Sequence, residues 1–469
     1  MNICARLRYA KEEPVSNAEF RRNVWCEFTP AKIIISPVII GIITLLVYAA
    51  APRPDDFFNA LGIVSGVLMS FILLLWATKQ ASESVIGEVN DRTWVFQKMS
   101  SVRAIDMTIG KLFGSTVYAW YTAGFCLVAY VISALFASDG FLRLKYALLI
   151  ILAGLVGHAL SMMLSLIIVK NARFTGKTGK NSVFLAGVVI GCVILAIASS
   201  VFSKKIPDIQ WMGITVHPID FFIFSAVYAA FWSIAGLYRM MRQELQYDNT
   251  PTWWCVFVVT LLVYFNGLTY GLPNGEWGGS LLKGSVVLWT SFPILVLLTY
   301  LTLLTESFDT VMLRKLVDRI RRRRWRDAAV STPLWMPTVA GVLSLTILML
   351  GRDLINGATI YYPDLSHYGS FTLSVLPLVV VLFLLRDLGV IGLIKSTGSG
   401  KGDFYIAVYL VLAYGLMPTV LTLAKAKLAL HCFWPVPIDG IVWQSVPPAL
   451  ECAAAGYLVW MRRGKILGI

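Results

Sequence analysis

Residues that could do chemistry are few in this chain, and they stand in two kinds of place. The first is a pair of charged segments. In 79–111, Glu83, Glu88, Asp91, Arg92, Lys98, Arg103 and Asp106 alternate with Val85, Ile86, Val89, Trp94, Phe96 and Met99. A helix or a pair of short helices there has one wet and one greasy face, the form of a surface that docks a partner. A second segment, 306–335, also has a central tryptophan, Trp325. It is more basic, with Asp318 beside a cluster of Arg319, Arg321, Arg322, Arg323, Arg324 and Arg326. Such a cluster serves as a topology signal that attracts anionic headgroups, or as a docking surface. The second kind of place is the interior of apolar runs, where ionisable groups are costly and mark a transport path or an internal pair. His158 and Glu451 are the candidates for a substrate path. His158 also reads as a hydrogen-bonded core histidine, and Glu451, after Pro447 and Pro448, as an acid in a wet vestibule behind a re-entrant piece. Arg386 and Asp387 suggest a helix break that lets the pair reach the inner interface.

The chemistry that is missing is as informative. A phosphate-binding loop needs GxxxxGK[ST], and the two near matches fail. Gly400-Lys401 is followed by Gly402 and has Lys395 at the first glycine position; Gly176-Lys177-Thr178 has Asn171 there. The seven cysteines form no CxxC pair, and His158, His217, His367 and His431 are spread without an HxxxH or paired-acid pattern. No metal, no bound cofactor and no catalytic residue is expected.

The elements that must hold these residues are apolar. Hydrophobic residues make up 57% of the 469 and charged ones 14%, with a mean hydropathy of +0.72; soluble chains hold about 45–50% apolar residues. The net charge of +14 falls in short patches between apolar runs, as topology signals do, so nucleic acid is not the expected partner. The first 30 residues are basic without an apolar core, so no cleaved signal peptide is expected. A crossing helix needs about 20 apolar residues. Twelve spans satisfy this: 33–52, 57–78, 112–137, 145–169, 182–203, 219–239, 253–272, 283–305, 334–351, 371–394, 404–424 and 441–461. With the N-terminus inside, 31 of the 40 Lys and Arg residues fall on the inner side, which places both termini in the cytoplasm.

The two halves share short matches in the same order. Thr29-Pro30 recurs as Thr250-Pro251, TLLVY at 44–48 recurs at 260–264, and Glu83-Ser84 recurs as Glu306-Ser307. Pro218-Ile219-Asp220 recurs as Pro437-Ile438-Asp439, and AGLYRMMR, ending at Arg242, is echoed by AGYLVWMR, ending at Arg462. The expected fold is therefore all-α, twelve transmembrane helices in two parallel six-helix repeats with a substrate path between them. Its parts are a cytoplasmic N-terminus and amphipathic elbow helix (1–32), a first membrane half (33–239), a connector with a second elbow helix (240–252), a second half (253–461) and a tail (462–469).

An elbow helix at 17–32, a helical segment between the second and third spans with Thr93-Trp94 and Gly110-Lys111, and an amphipathic or re-entrant Pro-containing piece before the sixth span (207–220 and 433–450) resemble the membrane subunits of ABC-type exporters of the O-antigen, teichoic-acid and drug-exporter architecture. The resemblance covers each half in turn, and the chain departs from the six-span subunit in being doubled. It implies a bacterial inner-membrane export permease whose coupling helices dock cytoplasmic ABC ATPase subunits, two copies, which bind ATP and Mg. Glu88, Asp91, Arg92, Trp94 and Lys98 fall in the first coupling element, and Asp318, Arg319, Arg322, Trp325 and Arg326 in the second. Membrane lipid and accessory export proteins are further expected partners. The alternative is an ion-gradient-driven transporter of major facilitator type, which Gly87 to Arg92 partly resembles without that family's second glycine and basic pair.

Overall fold

The computed structural model describes residues 17–51, 53–100, 102–175, 189, 193, 196, 208–270, 283–306, 310–356, 375–396, 402–430, 432–434 and 441–462. The protein is an all-α, membrane-embedded, multi-pass chain. Among the described residues, 10 helices are long and apolar enough to cross a membrane. The expected fifth span, 182–203, lies outside the described residues apart from isolated positions. The twelfth coincides with a helix that is not among those 10.

The chain forms two compact units, one of residues 1–209 and 215–249, the other of 210–214 and 250–469. The first opens with α1 (Ala18–Glu27), followed by α2 (Pro30–Ala50). Then come α3 (Pro54–Asn90), α4 (Trp94–Lys98), α5 (Ala104–Gly114), α6 (Val117–Leu135), α7 (Gly140–Thr175) and α8 (Pro218–Glu244). Three of these begin on proline, at Pro30, Pro54 and Pro218, each after an extended residue. The ring presets φ for the first turn and removes an amide that would have no partner there. Asp55 and Asp56 add negative charge to the first turn of α3, where the helix dipole favours it.

The helix α3 is the frame of the unit. It runs 37 residues, so the apolar second span and the charged stretch to Asn90 are one rod. A wide, π-helical stretch at Phe71–Ala77 opens its backbone ladder. At that opening His158 Nε2 of α7 donates to the Leu73 carbonyl at 2.9 Å, and Ser161 Oγ donates to the Thr78 carbonyl at 3.0 Å. Beside apolar core clusters, small and polar residues serve where helices meet. On α2 the one buried residue is Ser36, bonded to Tyr118 Oη (2.8 Å) and Thr122 Oγ1 (3.0 Å), while Ile34, Leu45 and Leu46 face outward. In α3, Gly62 and Gly66 lie one turn apart against Ser133 and Tyr130 of α6.

Where an amphipathic or re-entrant piece is expected before α8, the chain makes a two-stranded hairpin, β1 (Ile209–Trp211) and β2 (Ile214–Val216). Its turn needs Gly213, at φ +80. The second elbow helix is also absent. Arg239 to Glu244 is the last stretch of α8, and a short turn with Gln246 at φ 62 leads straight to the next span.

The second unit holds α9 (Thr252–Tyr270), α10 (Lys283–Thr305), α11 (Thr310–Arg321), α12 (Trp325–Val330) and α13 (Trp335–Asn356). After these come α14 (Leu376–Ser396), α15, α16 (Lys427–Leu430) and α17 (Ile441–Met461). The helix α15 runs from Gly402 through a second π-helical stretch, Val411–Leu416, to Leu423. Two expectations fail here, the helix break at Arg386 and Asp387 and the re-entrant piece at Pro447 and Pro448. The helix α14 is continuous through Arg386 and Asp387, and α17 is continuous through Pro447 and Pro448, so Glu451 lies within a helix and not behind a re-entrant piece.

A leucine at Gly66 must displace the Tyr130 ring, which stands 2.9 Å from where its Cβ would be, whereas Gly41 on α2 has nothing within 4 Å. Gly66→Leu is expected to cost about 1–3 kcal/mol of stability through overpacking. Gly41→Leu is expected to cost nothing, a contrast that thermal unfolding of the two detergent-solubilised variants measures.

Candidate functional site

Two polar centres stand out, one at the end of the first unit where α3 stops and one in the middle of the spans of the second. In the first, Asn17 caps α1 by accepting from the amides of Glu19 and Phe20, both at 3.1 Å. Its Nδ2 donates to the Asp106 carbonyl at 2.5 Å and so ties α1 to α5. The two helices touch through Gly110 and Gly114, four residues apart. A Cβ on Gly110 would lie 2.7 Å from Glu19 Cβ, and one on Gly114 2.8 Å from Asn23 Cβ.

That close approach delivers Lys111 into the interior, where it needs anions around it. Its Nζ meets Glu19 Oε1 at 3.0 Å and also pairs with Glu88. Arg22 bridges the same two acids, at 2.8 Å to Glu19 and directly to Glu88. Two cations and two anions thus balance. Burial alone would push the Glu19 carboxyl up, but Lys111 and Arg22 overcome it and hold it below the ordinary carboxylate range. Trp94 lies beneath, 3% exposed, with Lys111 Nζ 5.2 Å and Lys98 Nζ 5.4 Å from its ring centroid. Lys98 continues to Glu244 at the end of α8, at 2.5 Å. The surrounding core includes Val85, Ile86, Met107, Leu237 and Met241.

Of the five residues expected to form the first docking surface, Glu88, Trp94 and Lys98 are therefore used inside the protein. Asp91 and Arg92 are exposed. What accompanies them at the tip are Val95, Phe96 and Met99, three exposed apolar side chains. In the second unit, Asp318, Arg322, Trp325 and Arg326 are exposed and Arg319 is half-buried. Arg319 Nη1 donates to the Asp327 carbonyl at 2.9 Å, and Arg322 Nε to Asp318 at 2.9 Å. Trp325 is 65% exposed.

The two tips share a backbone. Arg92 (φ 60) and Arg323 (φ 56) end α3 and α11 in the left-handed conformation. In each, the amide of the next residue reaches back five positions, Thr93 N to Glu88 O and Arg324 N to Arg319 O, both at 2.9 Å. This is the Schellman closure that glycine usually makes. In each, the residue after that is the tryptophan that opens a short helix. They differ in cover: Trp94 is packed among residues of α3, α5, α7 and α8, whereas α12 runs into α13 within five residues and leaves Trp325 bare.

The second centre gathers around α14. Asp387 is fully buried and accepts four donors. Tyr300 Oη reaches Oδ2 at 2.7 Å, Tyr414 Oη reaches Oδ2 at 2.5 Å, Tyr409 Oη reaches Oδ1 at 2.5 Å, and Arg386 Nε reaches Oδ1 at 3.0 Å. Arg386 spends its other donors on Glu451 Oε2 (2.6 Å), the Cys432 carbonyl (3.1 Å) and Tyr414 Oη (3.1 Å), with the Phe383 ring 4.7 Å away. Arg386, Asp387 and Glu451 each lie about 15 Å from either end of helices of 21 residues. Arg386 and Asp387 thus do not reach an interface, because their partners hold them at mid-helix. Sequence reasoning singled out Glu451 but missed the tyrosines, which look like ordinary span residues. His158 belongs to the first unit, packed edge-on against Trp120 at 5.6 Å and bonded to backbone, a core role.

Among the described residues no group of three or more His, Cys, Asp and Glu could hold a metal ion. No protein family, curated protein or solved structure matches the chain, so the site is read from its own geometry.

The sign of the acid response follows from Glu19. A carboxyl whose value falls on folding contributes stability that is complete above its ordinary value of 4.5 and is lost as pH drops through the lower, folded value. The α1–α5 contact is expected to loosen only in strong acid, read as protease cleavage within α1 while the spans stay intact. In the second unit, Arg386→Met leaves Asp387 and Glu451 uncompensated and is expected to cost about 3–5 kcal/mol. Adding Asp387→Asn is expected to recover much of that loss, a coupling that a double-mutant cycle of unfolding measures.

Proposed function

We propose that the chain is the membrane permease of an ATP-driven exporter of ABC type, built as a tandem duplication of a six-span unit in a bacterial inner membrane with both termini in the cytoplasm. Each half carries one cytoplasmic tip, and ATP-driven movement of two partner ATPase subunits, which hold ATP and Mg, is delivered to each half through its tip. The observation that carries this reading is the shared tip backbone, a left-handed arginine followed two residues later by a tryptophan at the head of a short helix. The helix pairings add support. In the first unit α7 packs along α8 and α3 along α6; in the second α14 packs along α17 and α10 along α13. These are the fourth-with-sixth and second-with-third pairings of the expected spans.

The tips would dock by different chemistry. The first offers Asp91, Arg92, Val95, Phe96 and Met99, an apolar knob with a mixed-charge edge; the second offers Trp325 in an arginine collar. A second reading, ion-gradient-driven transport, is favoured by one feature, the charged centre at mid-helix in α14 and α17.

The test is co-purification with an ATPase and measurement of stimulated hydrolysis. Phe96→Asp with Met99→Asp at the first tip, and Trp325→Ala at the second, are each expected to remove about 2 kcal/mol or more of docking energy, the scale of an apolar anchor. They are expected to abolish stimulation while the protein stays folded, because none of the three side chains is buried. Transport by the purified chain alone under a proton gradient would overturn the reading.

A further inference from the structure

Among the described residues, the centre of the second unit sets one guanidinium against two carboxylates, and the helices that bear them are apolar. Asp387 is the settled partner. Three tyrosine hydroxyls and Arg386 Nε saturate its oxygens, a shell that suits an anion and leaves no room for a proton. Glu451 is the surplus. Among the described residues, the groups that face it are Arg386 of α14, through one N–H on Oε2, and the Cys432 thiol from the loop before α17, with Asp387 and Tyr414 beyond the guanidinium. Among the described residues its side chain is 29% exposed, whereas that of Asp387 is fully enclosed, so Glu451 is the less covered of the two acids.

From this asymmetry we propose that Glu451 is a proton-binding site inside the membrane, loaded from the aqueous phase. One proton joins the carboxylate oxygen that Arg386 does not hold, and Oε2 keeps its bond to Nη1. The loaded site is a neutral cluster of one guanidinium, one carboxylate and one carboxylic acid. The unloaded site carries one negative charge, which apolar surroundings disfavour. Arg386 acts as the positioning residue, holding the acid at mid-helix in both states. The proposal goes beyond the exporter reading and does not depend on it, since a proton can be bound here with or without an ATPase at the tips.

Infrared difference spectra of the full chain in lipid nanodiscs, with no ATPase present, test it between alkaline and acid buffer. Wild type is expected to gain the carbonyl stretch of one carboxylic acid that Glu451→Gln does not gain, and Tyr409→Phe, which leaves Glu451 untouched, is expected to keep it. Glu451→Gln retains the acceptor for Arg386; should it fail to fold, Glu451→Asp is expected to move the band. Identical difference spectra for wild type and Glu451→Gln, or a band that Glu451→Asp leaves in place, overturn the proposal. So does a carboxylate signal that responds to sodium ions and not to pH, which would mean a metal cation is the ligand. Because ATPase stimulation is not measured here, failure of this test leaves the exporter reading standing, and failure of that reading leaves this one standing.

Discussion

In a hydrocarbon setting no polar group can rely on water, and the need to give each one a partner from the chain itself organises this protein. The need is met at several scales. Ser36 finds Tyr118 and Thr122 across two helices. The opened turn of α3 finds His158 and Ser161. Asp387 collects four donors from α10, α14 and α15. In each case the polar side chain that turns inward is met by a partner, and around these pairs the interior is packed with apolar side chains such as Leu73, Met162 and Leu384.

The two polar centres use ion pairs differently. Around Lys111 the charges balance, every member has a partner of opposite sign, and Trp94 closes one side. Such a network serves as a clamp, since each charge is costly without the others. Around Arg386, among the described residues, the charges do not balance, and the member left over is also the less enclosed one. A clamp and a site that exchanges something with its surroundings are thus told apart by counting charges and asking which group is reachable.

Much of the fold was legible because hydropathy reports directly on the environment each span must occupy, and the prolines at 30, 54 and 218 marked where helices start. The ends were harder. Arg92 and Arg323 close their helices in the left-handed conformation with no glycine to announce it, so the charged segment at 79–111 read as one or two helices, whereas its first third belongs to α3. Trp94 is buried where an exposed docking residue was expected, because its cover comes from α5, α7 and α8, the last two far away in sequence. The continuity of α14 at Arg386 was illegible for the same reason: what makes a buried arginine tolerable is Glu451, 65 residues further on, with tyrosines whose roles depend on their partners and not on their spacing. The close approach at Gly110 and Gly114 became legible only when Glu19 and Asn23 appeared against them.

The clamp on Lys111 also sets an order of assembly. Glu19 leaves the ribosome 92 residues before the lysine that neutralises it, and the glycines that seat α1 arrive equally late. During that interval α1 lacks both Lys111 and its glycine seat, and Glu19 has only Arg22 and Asn23 of its own helix as partners among the residues that bond it here. A helix made well before α5 is thus seated only once α5 exists, and its seating signals that α5 is in place.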